Sequence, residues 1–159
     1  MKQIFKTLHH ICVVVNDIEA TERSYLAAGI GPWYDYPKAG AYIEYDVPDV
    51  AASKSMRYRC VDLDNIQIQL CQPSSLASPQ RHFLETFGEG VYHLGFEVPD
   101  RDEAEAQGRA LGLGVISRGK RADGSGFCYF DTKTALGIVL EIRKTSEAAS
   151  THGNTTDHR

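Results

Sequence analysis

Four polar side chains stand at matched places in two similar parts of this sequence: His10, Gln69, His93 and Glu141. Each histidine is the third residue of an apolar, strand-like stretch, and Gln69 and Glu141 lie in the stretches that close the same two parts. A carboxylate inside the run GIVLEI is costly to bury without a cation or a donor. Two imidazoles, one carboxylate and one amide oxygen suit Mn, Co, Ni, Zn or Fe(II) better than calcium. The residues therefore predict one divalent metal ion, with open positions for a small-molecule substrate.

An internal repeat supports this grouping. Residues 8–31 align with residues 91–114 at a constant offset of 83 and without a gap. The identical positions are His10 and His93, Val15 and Val98, Asp17 and Asp100, Glu22 and Glu105, Ala27 and Ala110, Gly29 and Gly112, and Gly31 and Gly114. A single histidine on a strand is more often a packed core residue than a ligand, but the repeat places four polar residues equivalently. It predicts two facing modules whose inward side chains converge.

The first module reads as a strand at 4–15, a helix at 18–28 capped by Asp17, and two strands at 56–61 and 66–71. In the opening strand, alternation places Leu8, His10, Cys12 and Val14 on one face. An aromatic-rich turn at 32–37 leads to a weakly patterned segment ending at 54, which either lines a pocket or covers a sheet edge.

The second module repeats this plan after a joining helix at 79–87. We expect a helix at 102–111 and strands near 115–117, 126–131 and 137–143, with a flexible, glycine-rich connection at 119–126. Residues 145–159 are polar and aperiodic, which predicts a disordered tail and makes His152 and His158 poor ligand candidates.

Composition limits the class of protein. A chain of 159 residues is enough for one compact domain, and a net charge of -4 without a basic stripe argues against nucleic-acid or membrane partners. The N-terminal stretch lacks the features of a signal peptide, and no apolar run reaches a membrane span. The four cysteines form no C-x-x-C pair, which indicates reduced thiols and a cytoplasmic location.

Several segments resemble the vicinal oxygen chelate superfamily, which includes glyoxalase I, extradiol dioxygenases and fosfomycin resistance proteins. The segments are LHHICVVVNDIEAT, IQIQLCQP, FLETFGEGVYHLGFEVPD and ALGIVLEI, between about residues 5 and 143. The more specific parts are the turn Gly88-Glu89-Gly90-x-x-His93 and a glutamine four residues before a proline. Within the superfamily the sequence is most similar to the methylmalonyl-CoA epimerases.

This resemblance implies an α+β fold in which two βαβββ modules, about 5–73 and 90–143, form a cup-shaped, partly closed mixed sheet within a single domain over 1–144. It also implies a homodimer, and a metal held by His10, Gln69, His93 and Glu141. In such epimerases the metal stabilises the enolate formed when the proton between a thioester and a carboxylate is removed, a reaction needing bases on two faces. Glu141 takes one place, as ligand and base.

The second base is missing from its matching strand, which reads Met56-Arg57-Tyr58-Arg59. The two arginines either bind an anionic substrate or are solvated edge charges, and we favour the second. Glu44 or Asp46 could approach from the aromatic loop, although nothing in the sequence indicates that either does. Other readings therefore stay open: a glyoxalase-type lyase, a dioxygenase on another vicinal-oxygen substrate, or a binding protein of the resistance type that only sequesters a small molecule.

Overall fold

The computed structural model describes residues 2–37 and 39–150. The strands in these residues are β1 (Thr7–Val14), β2 (Tyr34–Asp35), β3 (Tyr42–Asp46), β4 (Arg57–Asp62), β5 (Gln67–Gln72), β6 (Gly90–Glu97), β7 (Val115–Arg121), β8 (Gly126–Phe130) and β9 (Val139–Lys144). The helices are α1 (Ile18–Ala27), α2 (Val50–Lys54), α3 (Pro79–Phe87), α4 (Arg101–Ala110), α5 (Lys133–Leu136) and α6 (Glu147–Ser150). No helix in the described part of the chain is long and apolar enough to cross a membrane.

All of these strands belong to one mixed sheet in the order β2-β4-β5-β1-β6-β9-β8-β7-β3. At its centre β1 pairs antiparallel with β6. Each of these strands also pairs in parallel with the last strand of its own half, β1 with β5 and β6 with β9. The predicted α+β fold built on a mixed sheet is confirmed; the sheet is large and unclosed, and its strand arrangement follows the sequence repeat.

The long helices of the two halves begin in the same way. The Asp17 side chain accepts a hydrogen bond from the Ala20 amide at the start of α1, and Asp100 accepts one from the Glu103 amide at the start of α4. Such a cap stabilises a helix by about 1 kcal/mol. Helix α1 then buries Ile18, and α4 buries Ala104, in separate apolar clusters. Each half thus packs one helix on its own strands.

A bulge interrupts the β1–β6 ladder on each strand, directly before the histidine. Leu8 pairs with Phe96 and His10 with Gly95, so His9 is the extra residue on β1. The second register shift, where Cys12 pairs with His93 and Val13 with Val91, makes Tyr92 the extra residue on β6. Leu8, which alternation places on the same face as His10, is 39% exposed, whereas His10, Cys12 and Val14 are buried, and the bulge separates Leu8 from these three residues. A bulge changes the phase of side-chain alternation.

The aromatic segment both lines the cavity described below and covers edges of the sheet. Strand β2 covers β4 at one end of the sheet, whereas β3 crosses to the other half and covers β7. The two outermost strands are therefore consecutive in the chain. Because β3 pairs with β7 as far as Arg121, β7 is longer than the predicted 115–117, and the flexible connection shortens to the turn after Arg121.

The C-terminal prediction is only partly covered by the described residues. The Thr145 amide donates to Glu97, the Ser146 hydroxyl donates to Asp123, and a short helix follows at Glu147–Ser150. Residues 145–150 are thus hydrogen-bonded or helical rather than a disordered tail. Residues 151–159, including His152 and His158, lie outside the described residues.

Candidate metal centre

The strands place all four predicted ligands in the interior. His10 lies on β1, Gln69 on β5, His93 on β6 and Glu141 on β9, with exposures of 1%, 3%, 1% and 5%. The sheet order puts β5, β1, β6 and β9 side by side. Four neighbouring strands, two from each half, therefore carry the candidate site.

Three of the side chains meet at one point. The His10 Nε2 atom lies 2.8 Å from His93 Nε2, and each of the two nitrogens lies 3.0 Å from Glu141 Oε2. Three ligand atoms on one face of an octahedron with bonds of ~2.1 Å would lie about 3.0 Å apart. The spacing of this triad fits a divalent ion with two imidazole ligands and one carboxylate ligand.

Strand register explains why the triad converges. His10 pairs with Gly95 across the central ladder, and Gly95 in turn pairs with Glu141 on β9. Gly95 leaves room for the imidazole, because a Cβ atom there would lie 2.0 Å from Cε1 of His10. Gly95 therefore lets the His10 ring extend from β1 across β6 toward the Glu141 carboxylate on β9.

Gln69 occupies the position in the first half that Glu141 occupies in the second. Gln69 pairs with Cys12, two residues after His10, just as Glu141 pairs with Gly95, two residues after His93. Its amide nitrogen donates to Gln67 Oε1 at 2.6 Å, and its side chain lines the same cavity as Glu141. The register thus agrees with the predicted equivalence of Gln69 and Glu141.

His9 is a polar neighbour that the sequence analysis missed. As the extra residue of the β1 bulge it brings its Nδ1 atom to 2.9 Å from His10 Nδ1, and Arg143 Nη1 lies 3.1 Å from the same His9 atom. Burial, with the Arg143 guanidinium as the next cause, lowers the pKa of His9 to about 4. The sequence shows the His9-His10 pair, but simple alternation assigns the two rings to opposite faces.

The surroundings of His10 and Glu141 favour the protonation states in which these side chains can bind a metal ion. Burial lowers the pKa of His10, against the opposing effect of Glu141. Burial would raise the pKa of the Glu141 carboxyl, but His10 and His93 together outweigh it and hold that pKa below its usual range. A neutral imidazole beside an ionised carboxylate is the state that a metal ion binds.

Two buried atoms of the triad also lack hydrogen bonds. Within the described residues, Glu141 Oε2 makes no hydrogen bond of acceptable geometry despite its two close nitrogens, and His93 Nδ1 has no partner. A buried polar atom without a partner is costly and needs an explanation. A cation bound at Glu141 Oε2 would supply the missing interaction there.

His10 and Glu141 of the triad line a cavity of about 1000 Å³ to which both halves contribute residues. Its aromatic lining consists of Tyr34, Tyr36, Tyr42, Tyr45, Tyr58, Phe127 and Tyr129. Arg121 lies at this wall with neutral partners: its side chain donates to the Gly40 carbonyl at 2.8 Å and to the Tyr42 hydroxyl at 2.7 Å. Aromatic surface with a few polar groups is typical of a small-molecule site.

The other carboxylates that line the cavity already have partners. Asp35 accepts from Arg59 at 2.8 Å, Asp49 caps α2 at 2.7 Å, and Asp62 accepts from the Tyr34 hydroxyl at 2.8 Å. Glu141 differs from these three aspartates, because its carboxylate lies against two imidazoles.

The arginines of β4 do not face this cavity. Arg57 donates to Glu19 at 3.2 Å and Arg59 donates to Glu22 at 2.7 Å, both on α1. Both are ion-paired with this helix. The Arg57 side chain is also 53% exposed, which agrees with the edge charge that we favoured, whereas that of Arg59 is 24% exposed. Glu44 is likewise engaged, by Arg118 at 2.6 Å.

The fold and the site define a class of protein: a duplicated, mixed-sheet domain with a candidate metal triad at the junction of its halves. Residues 9–129 match the Glyoxalase/Bleomycin resistance protein/Dioxygenase superfamily. Since the match covers most of the chain, this protein belongs to that superfamily. No curated protein matches the sequence.

Solved structures support the same fold. Methylmalonyl-CoA epimerase from Mycobacterium tuberculosis is similar with a TM-score of 0.68 and 18% identity, covering 95% of this chain and 95% of that chain. A variant of Streptomyces coelicolor methylmalonyl-CoA epimerase in complex with 2-nitronate-propionyl-CoA is similar with a TM-score of 0.66 and 22% identity. The match covers 89% of this chain and 99% of that chain. At this level of identity the likeness shows the fold.

Proposed function

We propose that this protein is a divalent-metal-dependent isomerase or epimerase that removes a proton next to a carbonyl group. The observation that carries the proposal is the triad of His10, His93 and Glu141, whose ligand atoms lie 2.8 to 3.0 Å apart and two of whose residues, His10 and Glu141, line an aromatic cavity. A bound Mn, Co, Ni, Zn or Fe(II) ion would supply Lewis-acid stabilisation of charge on the carbonyl oxygen. Gln69 is the proposed fourth ligand.

An acyl-CoA thioester such as methylmalonyl-CoA is the proposed substrate. Its support is the fold of the epimerases, one of which holds an acyl-CoA analogue, together with a cavity at the upper end of the usual size for small-molecule sites. The homodimer, the cytoplasmic location and the single domain of residues 1–144 stay predictions from the sequence.

Glu141 is the proposed base on one face of the substrate carbon. The two imidazoles hold the pKa of its carboxyl below the usual range despite burial, so the group is ionised at neutral pH, which is the form that a general base needs. Its contact with two imidazoles also fixes the direction from which it approaches the substrate. The same side chain thus serves as ligand and as proton acceptor.

Tyr36 is the proposed proton donor on the opposite face. It follows β2 at the far end of the sheet from β9, lines the cavity and packs its ring 5.8 Å from that of Tyr58. A phenol keeps its proton at neutral pH, so the group can donate it to a carbanion-like carbon. A tyrosine here would replace the carboxylate that β4 lacks.

The test begins with metal analysis of the purified protein and continues with substrate exchange in D₂O. Metal binding at about one ion per chain, with deuterium entering the α-carbon of methylmalonyl-CoA, supports the proposal. Metal binding without exchange in any acyl-CoA thioester contradicts the isomerase, and a metal-free protein that still binds small molecules indicates sequestration.

A dioxygenase is the second candidate, because two histidines and one carboxylate on one face are also the ligands of non-haem Fe(II) oxygenases. The aromatic lining of the cavity favours an aromatic substrate in that case. Oxygen uptake by the Fe(II)-loaded protein with catechols distinguishes it, since proton exchange consumes no oxygen.

A further inference from the structure

Two hydrogen-bond chains reach the candidate metal centre from charged residues at its margin. One runs from Arg143 through His9 to His10, and the other from Asp62 through Gln67 to Gln69. We infer that these chains fix which atoms of His10 and Gln69 carry hydrogen, so that each presents a lone pair to the metal. The inference rests on the proposed metal centre, and it assigns His9, Gln67, Asp62 and Arg143 as positioning residues.

The first chain starts from a group that can only donate. The guanidinium of Arg143 keeps its protons, and its Nη1 atom lies 3.1 Å from His9 Nδ1. His9 Nδ1 must therefore be the unprotonated nitrogen. The contact between His9 Nδ1 and His10 Nδ1, 2.9 Å long, then needs its hydrogen from His10, and the single lone pair of His9 Nδ1 is shared between the two donors.

The consequence for His10 follows from the chemistry of a neutral imidazole, in which one nitrogen carries hydrogen and the other a lone pair. With hydrogen on Nδ1, the lone pair is on Nε2. That is the atom 2.8 Å from His93 Nε2 and 3.0 Å from Glu141 Oε2. A partner on the remote ring nitrogen commonly orients a histidine ligand in this way.

The second chain starts from a group that accepts. Asp62 accepts from the Tyr34 hydroxyl at 2.8 Å and from Gln67 Nε2 at 2.9 Å. The Gln67 nitrogen also donates to the Tyr34 oxygen at 2.8 Å. The amide of Gln67 is thereby oriented with its nitrogen toward Asp62 and its oxygen toward Gln69.

Gln69 is oriented in turn. Its Nε2 atom donates to Gln67 Oε1 at 2.6 Å, so its own oxygen is the atom left to act as a ligand. A reversed amide would direct N–H groups at a cation, which is repulsive. Asp62, near the cavity rim, thus sets the polarity of a side chain that is only 3% exposed.

Both chains end on a ligand of the first half of the protein, although Arg143 itself lies on β9 of the second half. His93 has no corresponding support, since its Nδ1 atom lacks a partner among the described residues. The residue before it, Tyr92, is the second bulge residue and packs in a hydrophobic cluster instead. The two copies of the repeat therefore differ in whether the histidine is held in one tautomer.

The first test reads the tautomer in the metal-free protein by ¹⁵N NMR of labelled histidine. Glu141, 3.0 Å from Nε2, competes for the hydrogen in the metal-free protein, so the test compares variants. We expect more hydrogen on Nδ1 of His10 in the wild type and in His9→Asn, whose amide oxygen can accept near the original Nδ1 position, than in His9→Leu. An unchanged tautomer population in His9→Leu overturns the inference. This reading needs neither metal nor substrate, so it is independent of whether the proposed function is correct.

The second test measures Co²⁺ affinity by visible absorption. Asp62→Asn replaces the acceptor by a group that can also donate, and we expect the dissociation constant to rise roughly 10- to 100-fold, as for other supporting partners of metal ligands. Asp64→Asn is the control, because Asp64 lies in the same turn and makes no side-chain hydrogen bond or ion pair within the described residues. Equal affinity of the two variants overturns the second chain. Absence of Co²⁺ binding in the wild type contradicts the proposed function instead, and leaves the tautomer measurement to decide the first chain.

Discussion

The ring of His10 fills the space next to Gly95 in which a side chain would otherwise begin. A Cβ atom on Gly95 would lie 2.0 Å from Cε1 and 2.5 Å from both nitrogens of that ring. Such distances are far below van der Waals contact, so the ring and the side chain exclude each other. The candidate centre thus depends on a residue that supplies no ligand.

Gly95→Ala should therefore displace His10 from the triad. We expect Co²⁺ affinity to fall at least roughly 10-fold, measured by titration of the metal-free protein. Gly114→Ala is the matched control, because the nearest atom to a Cβ there is 3.8 Å away. Unchanged affinity of Gly95→Ala would show that His10 is not a ligand.

Glu141→Gln tests the proposed base. The amide keeps the shape of the side chain but cannot accept the substrate proton, so we expect exchange to fall roughly 100- to 10,000-fold and metal affinity to fall as well. The measurement is deuterium incorporation from D₂O into the acyl-CoA substrate. Glu85→Gln, which changes an exposed carboxylate paired with Arg81, should leave the rate unaltered.

Tyr36→Phe separates proton removal from inversion. If Tyr36 delivers the proton on the second face, the variant should still exchange one hydrogen through Glu141 but should lose epimerisation. Chiral analysis of the thioester, together with deuterium content by mass spectrometry, measures both. Equal loss of exchange and inversion would contradict separate roles for the two residues.

His9 should make the stability of the metal-free protein depend on pH. Its pKa is lowered from 6.5 to about 4 in the folded state, so between these values the unfolded chain binds more protons. Stability is then full above pH 6.5 and is lost as the pH falls toward 4. Urea unfolding over this range should show a shallower decline for His9→Asn, with wild-type protein as the reference; an identical decline would exclude His9 as a contributor.

Much of the candidate site could be predicted because residues that align in the two copies of the repeat occupy equivalent positions on their strands. His10 and His93 align at the offset of 83, and each lies on a strand next to the strand that bears Gln69 or Glu141. Two copies of one strand plan then bring these residues together through ordinary register. No knowledge of loop structure was needed for that step.

His9 and β3 show what the repeat could not reveal. A bulge adds one residue to one strand, and the pattern of apolar residues around His9 is equally compatible with regular alternation. The pairing of β3 with β7 joins residues about 75 positions apart, such as Tyr45 with Gly119. The local sequence of Tyr42–Asp46 is too short to indicate a partner in the other half, so the role of its tyrosines in the cavity was also open.

The position of the triad on the β1–β6 ladder has a consequence for the history of the chain. His10 belongs to the first copy of the repeat, whereas His93 and Glu141 belong to the second. A single ancestral copy would have needed a twin to assemble a comparable set of ligands. Because the two copies lie in one chain, their equivalent positions can differ, and the second copy carries a carboxylate where the first carries an amide.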